Sequence, residues 1–142
     1  MVAITFPESL LDSLRASRLR NYPVVRLSWP KPFRPRYPSL SIQASNIIYD
    51  GKRSTVYEGN YVGKMEDLKL AIKISDYPKM LAVEAQRYTS MRALQGTVIP
   101  RLHGWYLGKL KTGKQIGLLA TELWGEQLSL EEPFDTMARV EQ

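Results

Sequence analysis

Five β-prone runs arranged around a single helical segment limit what this chain can fold into more than any other feature. Leu40, Ile42, Ile47, Ile48 and Tyr49 mark a first strand, and Asp50-Gly51-Lys52-Arg53 breaks it. A second strand follows over 54–62 with Val56, Tyr57, Tyr61 and Val62, and Asp50-Gly51 between β-prone runs signals a hairpin. The third is Leu68-Lys69-Leu70-Ala71-Ile72-Lys73-Ile74-Ser75. Over 79–95, Leu81, Ala85, Tyr88, Met91 and Leu94 recur at three- and four-residue steps, and Gly96 ends the helix they define. Runs at 102–109 and 115–122, joined by Leu110-Lys111-Thr112-Gly113-Lys114, complete a second hairpin. Strand, strand, strand, helix, strand, strand predicts an α+β unit, a five-stranded antiparallel sheet with one packed helix.

The 38 residues before this unit differ in texture. They hold seven Lys/Arg against two Asp/Glu, whereas residues 39–142 hold thirteen against twelve, so most of the net charge of +6 lies in the N-terminal part. Leu10, Leu11, Leu14 and Leu19 predict a short helix over 8–20. Residues 23–38 contain Pro23, Pro30, Pro32, Pro35 and Pro38 with basic residues between them. Proline removes backbone donors and disfavours helix before it, which predicts an extended linker. The expected organisation is a basic, Pro-rich arm at 1–38, a domain at 39–128 and a further short segment at 129–142. The arm could dock a protein partner, with Trp29, Phe33 and Tyr37 as anchors. A nearly neutral domain argues against nucleic acid as the partner.

The chain has no cysteine, which excludes disulfides and thiolate metal sites and fits a reducing compartment. No apolar run approaches the roughly 20 residues that span a bilayer. The N-terminus lacks the basic and apolar regions of a secretion signal, so an intracellular protein, cytoplasmic or nuclear, is expected. The single histidine, His103, reads as a partly exposed residue at the start of a strand, and no metal site is expected.

Lys73 is the residue that points to chemistry. A lysine alternating with buried neighbours is costly unless its ammonium meets an anion. Ala71 and Lys73 share one face of their strand, two residues apart. Glu84, early in the helix in Leu81-Ala82-Val83-Glu84-Ala85, is a carboxylate that could meet the lysine.

With Ala71-Ile72-Lys73, Glu84 and Ile116-Gly117-Leu118-Leu119-Ala120-Thr121-Glu122-Leu123-Trp124 in this order, residues 40–128 resemble the small N-terminal lobe of protein kinases, most like divergent, fungal-type members. The resemblance implies an ATP-binding domain of the phosphotransferase family. In it Lys73 would hold the α- and β-phosphates and Glu84 would aim it. Ala71 would leave room for the base, Val56 would pack on it, and Thr121 would stand beside the adenine pocket. The carbonyl of Glu122 and the amide of Trp124 would bond the adenine edge. The first hairpin would supply Gly51 and Ser54 as the remnant of a glycine-rich loop, with Tyr49 where its first glycine would stand. The match stops there, because neither a His-Arg-Asp nor an Asp-Phe-Gly run occurs. The catalytic aspartate and the Mg²⁺ ligands belong to a large lobe, of which 129–142 would be a truncated start, so this chain alone would not catalyse. The alternative is a non-catalytic, pseudokinase-like module that docks a partner through the arm.

Overall fold

A computed structural model describes residues 2–7, 24–31, 33–63, 68–110 and 112–124. The helix expected over 8–20 and the segment 129–142 lie outside the described residues. Seven strands form a closed barrel, β1 (Val2–Thr5), β2 (Val24–Ser28), β3 (Ile42–Asp50), β4 (Ser54–Tyr61), β5 (Leu70–Ser75), β6 (Leu102–Lys109) and β7 (Gln115–Glu122), with helix α1 (Pro78–Ser90) outside it. Around the barrel the order is β1-β2-β6-β7-β5-β4-β3.

This corrects the expected fold. The five anticipated strands are present and pair antiparallel as β3-β4-β5-β7-β6. They do not form an open five-stranded sheet with the packed helix of a kinase small lobe. Strands β1 and β2 close them into a mixed barrel: β1 lies parallel to β3 through Ile4↔Ile42 and Thr5↔Gln43, and β2 lies antiparallel to β6 through Leu27↔Gly108 and Ser28↔Leu107. The region expected to be linker therefore contains a barrel strand. The prolines conceal it, because Pro23 and Pro30 fall just outside Val24–Ser28, and β2 itself alternates exposed and buried positions.

Closure divides every strand into an inner and an outer face. Ile4, Val25, Leu27, Ile42, Ala44, Tyr57, Tyr61, Leu70, Ile72, Ile74, Tyr106, Ile116, Leu118 and Ala120 form the interior cluster. Outside, Leu81, Ala85 and Tyr88 of α1 pack against Trp105 of β6 and Leu119 of β7. Former linker aromatics complete both cores, Trp29 and Tyr37 packing against the interior and Phe33 against the helix cluster. The three side chains named as partner anchors thus serve the chain's own packing.

Only two residues, Asp76 and Tyr77, separate β5 from α1, which opens on Pro78. The Ser75 hydroxyl accepts the Tyr77 N–H at 3.0 Å, which turns the chain from strand to helix. At the other end, the Gln95 side chain donates to Tyr88 O and accepts from Leu102 N, tying the helix end to β6. No helix among the described residues is long and apolar enough to cross a membrane.

Close strand approach in the barrel depends on missing side chains. A Cβ at Gly59 would stand 2.4 Å from the Gln43 carbonyl oxygen and 2.6 Å from Ile72 Cδ1. One at Gly108, where β2 meets β6, would lie 2.9 Å from Val25 Cγ1. Backbone cannot yield as a flexible side chain does, so Gly59→Val is expected to lower unfolding stability by about 3 kcal/mol. Urea unfolding followed by circular dichroism checks this; an unchanged midpoint would contradict the packing described.

Candidate functional site

The outer face of β5 carries Ala71, Lys73 and Ser75, because the intervening Leu70, Ile72 and Ile74 fill the barrel. Lys73 stands opposite Val56 on β4 and Leu119 on β7, and Ala71 stands opposite Thr121. Val56, Ala71, Lys73 and Thr121 therefore occupy neighbouring positions of one face. The first, second and last are buried.

Lys73 Nζ donates to Glu84 Oε1 at 2.8 Å, and each side chain retains 17% exposure. This contact follows from the short β5–α1 connection and the helical period. Leu81, Ala85 and Tyr88 turn one stripe of α1 onto the barrel, and Glu84 lies beside that stripe, near the strand it has just left. Partial burial makes the pair directional. A lone ammonium here would lose solvation without compensation, whereas the carboxylate both neutralises it and fixes its direction.

The end of β7 adds backbone groups. Glu122 N–H donates to Arg101 O at 3.0 Å, and Leu123 N–H to Lys69 O at 3.0 Å. The Arg101 N–H goes to the Glu122 side-chain Oε1 at 2.8 Å instead of to the backbone carbonyl. Among the described residues, the Trp124 N–H has no hydrogen-bond partner. The Glu122 side chain is directed to Arg101, away from the position of Lys73.

The β3–β4 hairpin differs from a phosphate cradle. Gly51 N–H donates to Ser54 O at 2.9 Å, so it closes its own turn. The Tyr49 ring lies over Gly51, its hydroxyl 2.5 Å from where a Cβ would be. Ser54 is buried at the start of β4, and the Ser75 hydroxyl donates to Arg53 O at 2.7 Å. The structure groups Lys73, Glu84, Val56, Ala71 and Thr121, and it places Gly51 and Ser54 in a self-satisfied turn.

His103 departs from its expected exposure. An irregularity in the β6–β7 register between Leu102 and Gly104 accompanies its inward position, with 3% of its surface exposed. It stacks on Tyr37 with ring centroids 6.0 Å apart and shares a 3.2 Å hydrogen bond with Tyr61 through Nδ1. Burial, assisted by the positive charge of Arg36, lowers its pKa to about 4, against a smaller opposing effect of Glu122. Burial likewise raises the Tyr106 phenol to about 12.

One opening lies away from Lys73. It is a cleft of about 670 Å³ between residues 33–36, the C-terminal end of α1 and the start of β6. In comparison with known proteins, no family model matches the chain, and no curated protein matches it significantly.

The histidine gives a pH test. Its folded pKa lies below the ordinary value near 6.5, so the stability it contributes is complete above that pH and is lost as pH falls through about 4. The loss should be on the order of 2–3 kcal/mol. Urea midpoints at pH 7, 5.5 and 4 should fall more steeply for the wild type than for His103→Gln; parallel profiles would refute the buried neutral histidine.

Proposed function

We propose that this chain binds a nucleotide, with Lys73 contacting its phosphates, as in the ATP-binding domains of protein-kinase-like proteins. One observation carries the reading: a partly buried lysine, held at 2.8 Å by a helix carboxylate, shares a strand face with a small alanine. In this reading the ammonium supplies positive charge to phosphate oxygens and Glu84 keeps it directed at them. Val56, Ala71 and Thr121 form the apolar and small-residue floor for the base. The Glu122 carbonyl and the unpartnered Trp124 N–H offer an acceptor and a donor to the base edge.

The hairpin contributes less than a glycine-rich loop would. The Gly51 amide already serves its own turn, so phosphate affinity rests mainly on Lys73. The floor residues are buried, so base binding must displace neighbouring groups instead of filling an open slot. Both features favour weak binding. ATP would carry its Mg²⁺ with it, and the proposal extends to binding only.

A thermal-shift titration with ATP tests the reading. Wild-type protein is expected to gain stability with nucleotide concentration, about 2.7 kcal/mol at a hundredfold excess over Kd. Lys73→Met keeps the side-chain length, removes the charge and should cost about tenfold or more in affinity, the loss of a charge-assisted hydrogen bond. An equal ATP-induced shift in both proteins would overturn the proposal.

A further inference from the structure

The cleft beside the helix end is assembled from segments far apart in sequence, and its walls concentrate arginine. Arg34 and Arg36 come from the Pro-rich segment, Arg92 from the 3₁₀ turn Arg92–Leu94 after α1, and no acidic residue among the described residues lines it. None of the three guanidinium groups makes a hydrogen bond or ion pair with a described residue. Three such groups around one opening repel one another unless an anion joins them.

The site is nevertheless held firmly. Pro35 is buried, and Arg36 N–H donates to His103 O at 2.7 Å, which fastens the arginine-bearing segment to β6. On the helix side, the Thr89 hydroxyl donates to Ala85 O and the Ser90 hydroxyl to Arg87 O. With those hydroxyl protons committed, the arginines are the wall's charged donors. Guanidinium groups present planar pairs of N–H donors that match oxyanions in two-point contacts. Three positive charges exceed what one carboxylate balances, whereas a phosphate monoester carries close to two negative charges at neutral pH. The cleft is also within the range of ligand pockets, and Phe33 and Leu102 give it apolar wall for an organic body attached to the phosphate.

We propose that this cleft binds phosphomonoesters, distinct from the nucleotide site at Lys73. Such a group could come from a phosphorylated protein side chain or from a small phosphorylated metabolite.

Calorimetric titration of the full chain can test this with three probes: O-phosphoserine, a phosphoserine peptide and the same peptide unphosphorylated. The phosphorylated probes should bind, and the unphosphorylated peptide at least tenfold more weakly. Arg92→Ala and the double variant Arg34→Ala/Arg36→Ala should each lower affinity about tenfold or more, whereas Lys73→Met should leave it unchanged. The Arg92→Lys variant keeps charge and loses the planar fork, so it should be weakened also, with an unaltered circular dichroism spectrum. Tighter binding of the phosphopeptide than of phosphoserine identifies a protein source; equal binding identifies a small-molecule source. Indifference to phosphorylation, or unchanged affinity in the folded arginine variants, would overturn the proposal.

Discussion

Closure of the sheet is the constraint on which the rest depends. Two short junctions, β1 against β3 and β2 against β6, join seven strands into a ring whose interior is filled mainly by apolar and aromatic side chains. Once the interior is committed to Tyr57, Tyr61, Tyr106 and the aliphatic side chains around them, polar chemistry can occupy only the outer face or the openings beside it. Lys73 lies there because Ile72 and Ile74 turn inward. Helix α1 lies there because Trp105 and Leu119 leave an apolar patch on the same side. The ion pair with Glu84 is a consequence of both placements.

The same closure changes the meaning of the N-terminal region. Its basic and proline-rich composition suggests a detached arm, yet Val25 and Leu27 belong to the barrel interior and Phe33 to the helix cluster. Prolines here delimit a strand and fix a loop instead of keeping the chain solvated. Arg34 and Arg36 are consequently brought opposite Arg92, more than fifty residues on, in a cleft that composition alone could not assemble.

What could be read from the sequence was local. Alternation reveals β5, three- and four-residue spacing reveals α1, and the short link between them places Glu84 within reach of Lys73. The closing strands were hidden because β1 has four residues and β2 five, and each pairs with partners distant in sequence, such as Ile4 with Ile42 and Leu27 with Gly108. Register irregularity at β6 hid the burial of His103. Turn hydrogen bonding hid the fate of the Gly51 amide, which a glycine in a hairpin does not announce. Of the candidate site, the charged pair and its strand face were legible, whereas the phosphate-loop part was not.

The central claim is that nucleotide phosphates meet Lys73 on the outer barrel face. Amide and side-chain NMR of the labelled chain, titrated with ATP and Mg²⁺, tests it most directly. The account predicts saturable shifts at the Lys73 ammonium, at Ala71 and Thr121, and at the Trp124 amide. Shifts confined to Arg34, Arg36 and Arg92, or none at all, would contradict it.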